Sequence, residues 1–352
     1  MRTIVRKPTA TSRPSDPVSR RTIIAARTKE ISEGIWRLVI PLPGHSVGHV
    51  NVYALQGREG IALVDVGWHA PGSYRVLDDV LRETGASASD VVRVLVTHVH
   101  QDHCGLAGAI RDRIGAWVGM HTIDARDMRE RFFDQTVFKE LTEEWALAAG
   151  APDEVLAAAM YMIDRSATRV HPLEPDQLLT DGDIVEHPPW RLRVLHTPGH
   201  TAGHVCFYEE ETQTLFSGDH VFPYINTNPG YRPHGTADPI GDYLHSIDRL
   251  ERLALARILP GHQRPVADPY GRLAGLRTYH LERLSEVRGI VEQGATTPWE
   301  VAARIRRSRT WQEVPAISQV SAIGETYGHL VHLVRRGELR AVRGTPSRFT
   351  VA

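Results

Sequence analysis

The run Thr97-His98-Val99-His100-Gln101-Asp102-His103 constrains this chain more than any other feature. Three imidazoles and a carboxylate fall directly after the apolar run Val91-Val92-Arg93-Val94-Leu95-Val96, which reads as a buried strand ending at a site. Imidazole and carboxylate are ligands that zinc takes in catalytic centres, and His-x-His on extended backbone sends two imidazoles to one side. Asp102 and His103, one step on, serve a second position, so two adjacent ion sites are implied. A single His beside a strand is ordinarily a hydrogen-bonded surface or core residue. Three of them with an aspartate reverse that reading.

Further partners follow in Thr197-Pro198-Gly199-His200-Thr201-Ala202-Gly203-His204, Ser217-Gly218-Asp219-His220 and Leu259-Pro260-Gly261-His262. Each lies just after an apolar, strand-like run, with glycine beside it to let the backbone turn sharply. The ligands therefore come from several strand ends.

With Asp65 in Val64-Asp65-Val66-Gly67, these motifs resemble, in order, those of the metallo-β-lactamase superfamily, over roughly residues 30 to 268. The resemblance implies an α+β four-layer αββα sandwich. It puts His98, His100 and His200 on one metal, Asp102, His103 and His262 on the other, and Asp219 between them. Asp65 becomes the acid behind the ligands that fixes imidazole tautomer and orientation. Asp102 gains a further role as orienter or proton acceptor for the nucleophile. Where relatives often continue Asp-His-x-Gly-Gly, this chain has Asp102-His103-Cys104-Gly105-Leu106, a departure that leaves the ligands untouched.

The remaining chain reads as three parts. Residues 1–28 carry seven Lys or Arg against one acid and lack an apolar core, so a disordered tail is expected and a secretory signal is not. Residues 29–268 form the catalytic domain, in which 123–168 break the strand rhythm as helices rich in charge and aromatics. They read either as a cap over the site or as a core helical hairpin. Residues 269–352 turn helical, with a terminal hairpin pairing 338–342 with 349–351, and resemble a winged-helix-like module. Their thirteen Arg against seven Glu are compatible with a nucleic-acid partner, or with packing on the catalytic domain or on a second subunit as a homodimer.

Two cysteines make no disulfide framework and point to a reducing, cytoplasmic setting; no stretch is long and apolar enough for a membrane span. The loop after Asp219 is too turn-rich for a regular element, and its Tyr224, Asn226 and Asn228, with His204, are the candidates for substrate contact. The resemblance is strongest to glyoxalase II-like hydrolases. It implies two zinc ions, with iron or manganese also admitted by the ligand types, and a metal-bridging hydroxide attacking an ester, thioester or lactone that carries an apolar or acyl portion. Phosphodiester cleavage, as by an endoribonuclease of the same fold, is the alternative. A mononuclear-iron persulfide dioxygenase-like oxidoreductase is a further one.

Overall fold

The computed structural model describes residues 28–45 and 47–352, so the expected disordered tail lies outside the described residues except for Thr28. Thr28 opens β1 (Thr28–Ser32), which with β2 (Ile35–Pro41), β3 (His49–Gln56), β4 (Ile61–Val64), β5 (Val91–Val96), β6 (Trp117–His121) and β7 (Gln177–Leu179) forms a seven-stranded sheet in sequence order. A second sheet holds β8 (Ile184–His187), β9 (Trp190–His196), β10 (Val205–Glu209), β11 (Thr214–Gly218) and β12 (Arg257–Pro260) in the reverse spatial order.

Alternate residues of the two sheets face each other in a shared core. Ile35, Tyr53, Leu55, Val64 and Leu95 from the first meet Leu192, Val194, Phe207, Phe216 and Leu259 from the second, all buried. The opposite face of the first sheet is covered by α1 (Ser73–Arg82), whose Leu77, Val80 and Leu81 recur at helical spacing and are buried there. The opposite face of the second sheet is covered by the helix Pro239–Glu251 through Tyr243, Ile247 and Leu250. Helix, sheet, sheet, helix is the four-layer α+β sandwich.

The topology also explains where a site can form. Strands β4 and β5 are parallel, as are β11 and β12, so the residues after Val64, Val96, Gly218 and Pro260 emerge at strand C-termini. Loops at such ends are where open sheets present chemistry.

Residues 122–167 fold as three helices, α2 to α4 in the order Thr122–Phe132, Thr136–Ala149 and Asp153–Ala167. The C-terminal segment folds as α5 (Pro269–Glu292), α6 (Pro298–Arg304) and α7 (Ala316–Arg335), then the antiparallel pair β13 (Leu339–Val342) and β14 (Arg348–Val351). Asp268 caps α5 by accepting the Gly271 N–H at 3.0 Å, with Pro269 at the first helical turn.

These two segments share a core. Trp145, Ala146, Ala149 and Val155 pack with Leu284, Val287, Ile323, Leu330, Leu333 and Phe349. Deleting 272–352 would therefore strip the cover from Trp145 and Val155, each buried side chain of this kind being worth about 1.5–3 kcal/mol. The truncated chain should be found in the insoluble fraction, and soluble, monodisperse protein on gel filtration would refute the shared core.

Candidate metal centre

Two groups of side chains converge at the strand ends. Each residue of His98, His100, His200 and Asp219 offers one ligand atom within 4.8 Å of the others, and Asp102, His103 and His262 do the same. In the first group His100 Nδ1 lies 3.0 Å from both His98 Nε2 and His200 Nε2, with Asp219 Oδ2 3.6 Å from His200 Nε2. In the second, His103 Nε2 and His262 Nε2 are 3.3 Å apart, and Asp102 Oδ2 is 3.3 Å from His262 Nε2. Asp219 Oδ1 sits 3.3 Å from His103 Nε2 and 3.5 Å from His262 Nε2, so its two oxygens face different groups.

These spacings fit an ion. Ligands at about 2.0–2.1 Å from a tetrahedral zinc lie about 3.3–3.4 Å from one another. The hydrogen bonding behind the rings supplies the second part of the test. His103 Nδ1 donates to Asp65 Oδ2 at 2.8 Å and His262 Nδ1 donates to the His49 carbonyl at 2.6 Å. Thr97 Oγ1, whose hydrogen goes to the Asp65 carboxylate, accepts from His98 Nδ1 at 3.0 Å. With Nδ1 held in this way, each of these rings in its neutral form turns an Nε2 lone pair to the centre. Such a convergence of acceptors suits a cation.

Local backbone makes the convergence sterically feasible. Asp65 adopts φ 59°, an unusual left-handed conformation for a non-glycine residue, and its carboxylate also accepts the Thr97 N–H at 2.9 Å. Gly261 is obligatory for a different reason. A Cβ there would sit 2.6 Å from His103 Cε1 and 2.7 Å from Asp219 Oδ1.

The two halves differ electrostatically. Burial, reinforced by neighbouring imidazoles, holds His98 well below its ordinary pKa; burial likewise leads in lowering His100, and His200 to about 4. Burial is the largest influence on His103 and His262 and opposes protonation, but the carboxylates together outweigh it, Asp219, Asp65 and Asp102 at His103 and Asp219 with Asp102 at His262. His103 stands well above its ordinary value and His262 at about 10. At pH 7 the ion-free chain holds protons in the second half and none in the first. Ion uptake at the second half must then release protons, whereas the first fills without release. Calorimetric titration of the chelated protein with zinc in two buffers of different ionisation enthalpy should show this proton release. Buffer-independent heats would contradict it.

Among the candidate substrate contacts, the structure corrects one outright. His204 is wholly buried, its Nδ1 paired with Thr197 Oγ1 at 2.9 Å and its Nε2 accepting the Asp219 N–H at 3.2 Å, so it braces the Asp219 loop from behind. Asn226 Oδ1 accepts from Arg272, and Asn228 Nδ2 donates to the Ser321 carbonyl, so both tie the loop to the C-terminal helices. Tyr224 is 66% exposed and lies against Arg264, with the guanidinium 5.6 Å from the ring centre. Cys104 is buried in the core behind the site, its thiol directed at the Val99 carbonyl.

A residue that the motifs did not single out is Asp124. It is fully buried at the start of α2 and accepts from Val99 N at 2.8 Å, Thr201 Oγ1 at 2.8 Å and Gly203 N at 2.7 Å. One carboxylate thus clamps the loop between His98 and His100 to the loop carrying His200. Burial raises its pKa to about 6 even against these hydrogen bonds.

Comparison with known proteins agrees with this geometry. The profile described as Metallo-beta-lactamase superfamily matches residues 45–262. The chain is 25% identical over 317 residues to the probable metallo-hydrolase YqjP of Bacillus subtilis, covering 85% of this chain and 92% of that one. It is 27% identical over 227 residues to the human acyl-coenzyme A thioesterase MBLAC2, covering 62% and 74%. A metallo-beta-lactamase family protein from Thermus thermophilus superposes with a TM-score of 0.80 at 30% identity, over 92% of this chain and all of that one. With its motifs, strand-end geometry and family profile in agreement, the chain belongs to the metallo-beta-lactamase superfamily of metallo-hydrolases.

Proposed function

We propose that this protein is a binuclear zinc thioesterase or esterase acting on small acyl substrates. The observation that carries the reading is the orientation of Asp219, one oxygen toward each group of imidazoles. Two zinc ions held there would make hydroxide available near neutral pH by lowering the pKa of water from 15.7 toward about 7, and would polarise the acyl carbonyl. His98, His100 and His200 would hold the ion on the carbonyl side, and Asp102, His103 and His262 the other.

The chain's own groups do the rest. Asp102 Oδ2, 3.3 Å from His262 Nε2, is held below the ordinary carboxylate range, against its burial, by His103 and His262. An ionised Asp102 can orient the attacking water and accept its proton. Asp65, through His103 and Thr97, keeps the imidazoles in the tautomer that presents Nε2. No serine or cysteine nucleophile is needed. A thioester is favoured over a phosphodiester because several relatives are named for thioesterase activity, among them MBLAC2 and the atrochrysone carboxyl ACP thioesterase of Aspergillus chevalieri. The glyoxalase II-like affiliation and the winged-helix-like character of 269–352 belong to the same reading, the latter supported by helices followed by the β13–β14 hairpin.

The test is thiol release from acyl-CoA and acyl-glutathione thioesters by zinc-loaded protein, beside Asp102→Ala. Turnover that the variant reduces by about 10²-fold or more, the usual scale for losing a general base, is expected. Undiminished turnover by the variant would defeat the role of Asp102, and silence of the wild type across the panel would defeat the thioesterase reading.

A further inference from the structure

Two arginines have no anionic partner among the described residues, and both come from segments tied to the His98/His100/His200 half: α2 through Asp124, which binds Val99 and Thr201, and the loop that follows Asp219. Arg131 comes from α2 and Arg232 from the loop after Asp219, and among the described residues no carboxylate oxygen lies within 4.0 Å of either guanidinium. Nearby acids are already engaged. Asp124 spends its oxygens on Val99, Thr201 and Gly203, Asp127 pairs with Arg126 at 3.1 Å, and Glu325 accepts from the Tyr279 hydroxyl.

The Arg232 side chain is held in a slot between two glycines. A Cβ at Gly230 would lie 2.9 Å from its Nε, and one at Gly324, on α7, 3.1 Å. The Tyr231 N–H donates to the Gly324 carbonyl at 2.9 Å and the Trp145 indole to the Tyr231 carbonyl at 2.8 Å, which fixes the loop on both sides. Nε is sealed from solvent without an acceptor, while the terminal nitrogens are not sealed. Arg131 is braced against Phe138, its guanidinium 5.2 Å from the ring centre.

The consequence is electrostatic. Burial and the charge of Arg131 bring Arg232 down to about 10, and burial lowers Arg131 as well. Phe138, against which Arg131 lies, stacks on His234, two residues past Arg232, at 5.3 Å between ring centres. Two half-buried like charges without a partner are costly, and an anion placed against them recovers that cost through charge-assisted hydrogen bonds.

We propose that Arg131 and Arg232 form an anion-recognition subsite beside the metal centre, selecting esters or thioesters that carry a carboxylate or phosphate away from the scissile bond. This rests on the hydrolase reading above. The anion has two sources, a carboxylate at the far end of the acyl chain or the phosphates of the leaving thiol.

Three thioesters separate these cases with metal-loaded protein: hexanoyl-N-acetylcysteamine, its adipoyl monothioester counterpart, and hexanoyl-CoA. The wild type should prefer one anionic substrate over the neutral one in kcat/KM. Preference for the adipoyl compound places the anion on the acyl side, and preference for hexanoyl-CoA places it on the thiol side. Arg232→Met should reduce the anionic-to-neutral ratio by roughly 10- to 100-fold, the range for a hydrogen bond to a charged group, and Arg232→Lys should restore part of it. No preference in the wild type, or equal loss on neutral and anionic substrates in Arg232→Met, overturns the proposal. If none of the three is cleaved, the thioesterase reading has failed, and calorimetry with adipate, hexanoate and inorganic phosphate decides the subsite independently. Adipate or phosphate binding that exceeds hexanoate binding and weakens in Arg232→Met supports it; identical binding in wild type and variant overturns it.

Discussion

Asp219→Ala is expected to lower kcat/KM by on the order of 10³- to 10⁴-fold, the scale on which removal of a central catalytic group acts. The reason is geometric. Asp219 is the residue that faces both halves, with Oδ2 toward His98 and His200 and Oδ1 toward His103 and His262. Its backbone N–H stays on His204 whatever the side chain, so the loop should keep its path. Steady-state kinetics with metal stoichiometry by mass spectrometry would read both effects, and the variant should retain fewer than two ions per chain. A variant that keeps two ions and full turnover would sink the shared-carboxylate reading.

The second large effect belongs to stability. Asp124→Ala should cost about 3–5 kcal/mol, because it strands two buried backbone N–H donors, at Val99 and Gly203, and a threonine hydroxyl, each worth about 1–3 kcal/mol when left unpaired. A fall in Tm of about 5–10 °C is expected. Turnover should fall as well, since His100 and His200 are the neighbours of the released groups. Asp124→Asn should be little better, because its amide nitrogen would face a donor. A Tm within a degree of wild type would show that the clamp contributes nothing.

Most of the fold and the convergence of the site were legible in the sequence, for identifiable reasons. Apolar runs such as Val91–Val96 and Val205–Tyr208 are largely buried and therefore stand out, and the glycines directly before His200, Asp219 and His262 mark the turns that bring those ligands inward. What escaped was non-local. Asp124 looks like any first-turn acid of a helix, and nothing near it in the chain shows that its partners are Val99 and Gly203. Arg232 sits in a turn-rich loop where Tyr224, Asn226 and Asn228 drew attention as polar candidates. Its distinction is the slot formed with Gly324, some ninety positions onward. His204 invites a substrate role because it adjoins the ligand motif; only packing shows that its ring lies behind Asp219. The C-terminal segment reads as a module that packs on the catalytic domain, on a second subunit or on nucleic acid, and only the structure shows that its core takes in Trp145 and Val155 from the helices after the first histidine cluster.

That shared core has a consequence for how the protein is made. The residues that gather His98, His100, His200, Asp219 and His262 have all been synthesised once residue 262 leaves the ribosome, while α7, which closes the slot around Arg232, emerges only later. Domains fold as the chain appears, N-terminal portions first. The nascent protein can thus assemble its ligand cluster before the surface beside it exists, and Trp145 waits uncovered in the meantime. A stop codon between residues 272 and 316 would leave a chain with its ligands in place and an exposed greasy flank, a natural substrate for chaperones and proteases rather than a smaller working enzyme.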